Sequence, residues 1–364
     1  MKFHACLLLL PLAAAVPAQQ PGASASPVPP ALWDPSPAGR VYDVRQIVTL
    51  SDVPADAKKI RMWVAIPAET VGQEILDFKV VDAPGTRRVV RQPETASEFL
   101  YVETDNPGTG KVVVTVDVAL RRQARTFKLD PAKSGPITAD HRLRFADDLK
   151  GDVPLMTVDA ESQKLAAQIC GGETNTIAQA KALWQYVADY ADHYSKDASK
   201  PKCGRGAAED CMAQKGGCCT DLHSLYIQLL RSRGIPARLE FGYRMQAKND
   251  GVETDPGYRC WVEWFAPGYG WVPTDIVAGD AGDAAVRELW FNGVDDRRLW
   301  CNRGRNFDLE PRQSGDRKIN TMIIGHAEID GRWVNVLPDA AGKPSPLTRK
   351  IVSKERKTSE TAAR

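Results

Sequence analysis

An excess of one charge is nearly absent from this chain. Its 364 residues carry 48 Lys and Arg against 46 Asp and Glu, a net charge of +2. That balance leaves no electrostatic footprint for nucleic acid or an anionic membrane. Long apolar runs are missing too: no internal stretch reaches the roughly 20 residues of a spanning helix. The eight cysteines include no C-x-x-C pair, and export favours disulfides, so no metal and no cofactor is expected. Histidine is scarce at five residues, so every candidate base can be checked by name. No internal repeat is present. What remains, 43% apolar and 26% charged residues, is the composition of a soluble globular protein with one large or two ordinary domains.

The first 18 residues resemble a signal peptide in their pattern. Lys2 is a short basic region, Leu7 to Val16 an apolar core, and Val16-Pro17-Ala18 offers small residues for cleavage. The mature protein is therefore expected to be exported, periplasmic or extracellular. Without Cys6 it keeps seven cysteines, an odd number, so at least one thiol stays free or pairs between chains. Residues 19–39, rich in Pro, Ala and Ser, predict a disordered linker.

Residues 40–125 alternate with period two. Ile60, Met62, Val64 and Ile66 share one face, and Val112, Val114, Val116, Val118 and Leu120 another. Half-buried antiparallel strands follow, organised as a β-sandwich domain. Helical spacing then covers about 158–169 and runs from a cap at Asn175 or Thr176 through Leu183, Trp184 and Val187. Residues 194–216 predict a loop. Residues 281–340 are expected as a β-rich extension, with Asp330-Gly331 as a two-residue hairpin turn. Residues 341–364 predict a disordered basic tail.

The chain is organised around residues 216–243. Leu222, Leu225, Tyr226, Leu229 and Leu230 line one helix face, with Thr220 as the expected cap. Gly234 and Pro236 end the helix. Cys219 thus sits at a helix N-terminus, where unpaired N–H groups and the dipole favour a thiolate. It is a candidate nucleophile or, in the plainer reading, a structural thiol. A second stretch, 258–275, holds Trp261-Val262-Glu263 and Gly270-Trp271-Val272-Pro273-Thr274-Asp275.

Together the stretches resemble the transglutaminase-like superfamily, which uses papain-type Cys-His-Asp chemistry. Gly217-Cys218-Cys219-Thr220-Asp221 matches the segment around that family's nucleophile, and Gly234-Ile235-Pro236-Ala237-Arg238 the turn and strand after its helix. The resemblance implies an α+β fold: a transglutaminase-like, papain-like core over 155–280, its helix packed on an antiparallel sheet, behind the β-sandwich. It also implies a triad, and here the sequence departs from the family. The histidine stands two residues before the Trp of its strand, and that position is Arg259. The expected catalytic set is Cys219, Arg259 and Asp275, with Asp275 paired to Arg259.

Arginine keeps its proton at any relevant pH, so Arg259 favours a thiolate without serving as a base. His141 and His326 lie outside the motif segment. His223 is one helical turn beyond Cys219, and His193 is expected to end a helix as a poorer candidate. Cys260 alternates with Arg259 and is expected to face away from the site. The expected function is a degenerate Cys-Arg-Asp site, impaired in catalysis, that binds peptides or cell-surface polymers. The alternative is an active thiol acyl-transferase or peptidase with a non-standard base. The expected partner is a peptide or protein, with no nucleic acid and no membrane span.

Overall fold

The computed structural model describes residues 36–95, 97–108, 110–200, 202, 205–280, 282–334, 336 and 344–357. The expected signal peptide, most of the 19–39 linker, Cys203 and the end of the basic tail lie outside them. No helix among the described residues is long and apolar enough to cross a membrane.

The alternating valines form two packed sheets. Gly110–Arg122 buries Val112, Val114, Val116 and Val118 and pairs with Arg40–Val53, Val118 opposite Val44. The first sheet runs, in spatial order, Leu347–Glu355, Arg40–Val53, Gly110–Arg122, Gln73–Asp82. The second runs Arg332–Trp333, His326–Ile329, Lys59–Ala65, Glu98–Asp105, Thr86–Arg91. Glu98–Asp105 and Gly110–Arg122 fall in different sheets, so the Asn106–Gly110 turn carries the chain across the sandwich rather than closing a hairpin. Asp330 and Gly331 do close one: both have positive φ, 51° and 74°, and Ile329 faces Arg332.

Two expectations need correction. The tail is not a disordered end from 341 on: Leu347–Glu355 is an edge strand of the first sheet, in register with Arg40–Val53 from Leu50↔Leu347 to Tyr42↔Glu355. Its apolar anchors are only Leu347 and Ile351; the ladder to Arg40–Val53 holds the rest, beside exposed ion pairs such as Lys350 Nζ to Glu253 at 2.6 Å. The 281–340 segment is also no separate extension. It gives two strands to the sandwich and a fourth strand, Arg298–Arg303, to the core sheet.

That core sheet is antiparallel, ordered Gly270–Thr274, Tyr258–Ala266, Ala237–Arg244, Arg298–Arg303. The helix Cys219–Ser232 packs on it, enclosed by helices Ala160–Cys170, Thr176–Tyr190, Ala208–Gln214 and Ile276–Asp280. The helix Ala208–Gln214 falls inside the stretch expected as loop. Enclosure explains why Leu222, Leu225, Tyr226, Ile227, Leu229 and Leu230 are all buried. Each such side chain contributes roughly 1.5–3 kcal/mol. Gly234, at φ +71°, ends the helix: its N–H bonds Arg231 O and the Ile235 N–H bonds Leu230 O, closing the last turn.

Candidate functional site

Cys219 is the first residue of the central helix. The cap is Cys218, not Thr220: the Cys218 sulfur accepts from the Asp221 N–H, and Asp221 Oδ2 accepts from the Cys218 N–H at 2.8 Å. This box needs Gly217, because a Cβ there would stand 2.6 Å from Asp221 Oδ2 on a backbone at φ +150°. Among the described residues Cys170, Cys211, Cys219, Cys260 and Cys301 are free and buried, and Cys218 is buried beside Cys219.

Three of those thiols meet. The neighbouring Cys218 and Cys260 side chains hold the Cys219 thiol well below the ordinary thiol range against its burial, and the Arg259 charge adds to them. Cys260 moves the other way, pushed well up by burial and then by the neighbouring Cys219. Behind Cys260 stands His223, with Nδ1 3.2 Å from the Cys260 sulfur. Nε2 lies 3.2 Å from the Ile276 N–H and 3.4 Å from Asp275 Oδ1. Nε2 accepts from the amide in one tautomer and donates to the carboxylate in the other. In the first, donors run in one direction: His223 Nδ1–H to Cys260, Cys260 S–H to the Cys219 thiolate. Thr220 Oγ1 also reaches Cys260, at 3.6 Å.

Cys260 therefore does not face away from the site. Strand alternation holds, but the central helix lies on the Cys260, Val262 and Trp264 face, all three in the main core. Arg259 and Trp261 take the other face, where Trp261 packs with Ala68, Val294 and Trp300. Arg259 is 9% exposed and donates from Nη1 to its neighbour's carbonyl, Tyr258 O, at 3.0 Å. Asp275 is not its ion-pair partner. Asp275 Oδ2 takes a close hydrogen bond from Arg298 Nη1, and Oδ1 accepts the Ala278 N–H at 3.0 Å. Burial would raise the Asp275 carboxyl, but Arg298 and His223 outweigh it and hold it far below the usual range.

His193 stands nearer than the sequence suggested. The preceding helix ends at Tyr190, and Asp192–His193 forms a short parallel ladder with Gly216–Gly217, His193 opposite Gly217. Its Nδ1 is 2.6 Å from Ser195 Oγ. Burial pushes His193 down to about 4, so at pH 7 it is a neutral imidazole within electrostatic reach of Cys219, Arg259, Asp275 and His223. Sequence reading missed Arg298 altogether, because it lies 23 residues beyond Asp275 on the added fourth strand.

Glu263 of the Trp-Val-Glu motif does structural work. Arg238 Nη2 binds Glu263 Oε2 at 2.7 Å, Arg303 is 3.6 Å away, and Arg125 closes on Oε1. Burial raises this carboxyl and the three guanidinium groups hold it down at about 2. Arg125 follows directly on the last sandwich strand, so the pair ties sandwich to core. No group of His, Cys, Asp or Glu among the described residues is arranged to hold a metal ion.

Residues 163–276 match the model of the transglutaminase-like superfamily. An uncharacterized protein of Haemophilus influenzae is 26% identical over 54% of this chain, and the match spans 61% of that protein's length. A candidate cysteine protease from Cytophaga hutchinsonii has the same fold, with a TM-score of 0.56 at 15% identity over 88% of this chain and 92% of its own. The periplasmic domain of TgpA from Pseudomonas aeruginosa aligns at 15% identity over 69% of this chain and 92% of that one, with a TM-score of 0.32. Cys219, Arg259 and Asp275 thus all lie within the segment that matches the transglutaminase-like superfamily model.

Proposed function

We propose that this is an exported protein with a degenerate Cys219-Arg259-Asp275 site, impaired in amide turnover, that binds peptides or cell-surface polymers. The observation that carries the reading is the commitment of Asp275. In a working triad the aspartate orients the base that returns a proton to the leaving amine. Here Asp275 is bound by Arg298 and His223, and the residue at 259 is a guanidinium that never loses its proton. Cys219 keeps the conditions for a thiolate, but no proton donor for an amine stands at that position.

One observation favours the second reading, an active thiol acyl-transferase or peptidase. His193 is neutral and lies beside the nucleophile's loop, as a general base must. Amine release from peptide and glutamine amides separates the two readings. The degenerate site gives no release above that of Cys219→Ala, while both proteins retain peptide or cell-surface polymer equally. Release abolished by Cys219→Ala and by His193→Gln overturns it in favour of the acyl-transferase.

A further inference from the structure

We propose that Cys219 and Cys260 form a peroxide-reactive pair, in which a small hydroperoxide oxidises Cys219 and Cys260 then closes a disulfide on it. The proposal shares with the reading above only the assignment of Cys219 as the nucleophile. It begins from access. Cys219 is buried, only 5% exposed. A hydroperoxide is nearly as small as water, which suits a sulfur at that depth.

The chemistry suits the residues that acyl transfer cannot use. Oxidation by peroxide needs a thiolate and a leaving oxygen that picks up a proton from water; it needs no histidine to serve an amine. A fixed cation such as Arg259 is compatible with that step and incompatible with the other. The Cys219 thiolate attacks one peroxide oxygen, the O–O bond breaks, and the products are Cys219 sulfenic acid and hydroxide or alkoxide. Cys260 then attacks the Cys219 sulfur. The S–S bond forms, the S–O bond breaks, and the hydroxyl leaves as water with the proton Cys260 gave up. In the tautomer whose Nε2–H donates to Asp275, 3.4 Å away, His223 Nδ1, 3.2 Å from Cys260, is placed to take that proton and pass it on. Two thiols supply the two electrons that reduce the peroxide. A low-molecular-weight or protein dithiol restores the pair.

The arrangement singles out Cys260 among the buried thiols. Its sulfur lies against the first turn of the Cys219 helix, 3.6 Å from Thr220 Oγ1 and 3.2 Å from His223 Nδ1, so closure needs side-chain movement rather than refolding. Cys218 also touches Cys219, but a bridge between sequence neighbours distorts the backbone between them, which raises the cost of that product. Cys170 and Cys301 touch neither.

The test uses the reduced full-length protein and one equivalent of hydrogen peroxide, followed by alkylation and peptide mapping by mass spectrometry. The pair predicts that Cys219 is lost about tenfold or more faster than Cys170 or Cys301. The linked peptide contains Cys219 and Cys260, and dithiothreitol reverses it. Cys260→Ser and Cys260→Ala then trap sulfenic acid at Cys219 as a dimedone adduct. A product linking Cys219 to Cys218 or Cys203 overturns the proposal. So does loss of Cys219 at the rate of Cys170, or the absence of a dimedone adduct in both variants. Because the readout is the mapped bond, these outcomes are independent of whether the protein releases amines.

Discussion

Arg298→Met lowers the stability of the fold by about 3–5 kcal/mol, the cost of leaving buried charge unpaired. The Arg298 side chain is 2% exposed and bridges two carboxylates, with Nη1 on Asp275 and Nε 3.0 Å from Asp295 Oδ1. Its guanidinium also lies 4.7 Å from the centre of the Trp290 ring. Methionine fills much of the volume and supplies none of the charge. The pH dependence has a definite sign. Asp275 is held below its unfolded value, so it contributes stability above about pH 4, lost as the pH falls through that range. In the variant, burial raises the same carboxyl, and protonation relieves the strain. The gap between the two proteins is therefore widest at neutral pH and narrows on acidification. Urea unfolding at several pH values measures it. A gap under about 1 kcal/mol at pH 7 contradicts the pairing, because exposed pairs fall in that range.

Arg259→His produces Cys219-dependent amide turnover where the unsubstituted protein has none. Losing a triad member commonly costs on the order of a thousandfold or more in rate, so even partial restoration is readily measured. The site around the position is otherwise prepared: Cys219 is at the helix N-terminus and its thiolate has two thiol donors. Asp275 is already occupied by Arg298 and His223, so the new imidazole lacks its usual orienter and the gain should fall short of a complete triad. The check is amine release by Arg259→His, with Cys219→Ala on the same background as control. Turnover unchanged by Arg259→His contradicts the reading that position 259 is where the base was lost.

Much of the core was legible in the sequence because its signals are local. The apolar face of 222–230 and the glycine at 234 appear as Cys219–Ser232, and the two motif stretches continue as Ala237–Arg244, Tyr258–Ala266 and Gly270–Thr274. The alternating valines likewise became the sandwich strands. What escaped depends on packing. Arg298–Arg303 has no clean alternation, because Arg298 to Asn302 are all buried and only Arg303 is partly exposed. Leu347–Glu355 is basic and buries only Leu347 and Ile351, and only its partner strand makes it a strand. Alternation correctly put Arg259 and Cys260 on opposite faces, but it does not say which face meets the helix. That choice was wrong for Cys260, and with it the Cys219–Cys260–His223 contact stayed hidden.

The central claim is that Cys219 rests as a thiolate held by neighbouring thiols at a helix N-terminus, without a histidine at 259. The most direct measurement is the pH dependence of iodoacetamide alkylation at Cys219, followed by peptide mapping in the unsubstituted protein and in Cys260→Ala. The account predicts a midpoint well below the ordinary thiol value of about 8.5, and an upward move when the Cys260 donor is removed. A midpoint at the ordinary value in the unsubstituted protein, unmoved in Cys260→Ala, contradicts it.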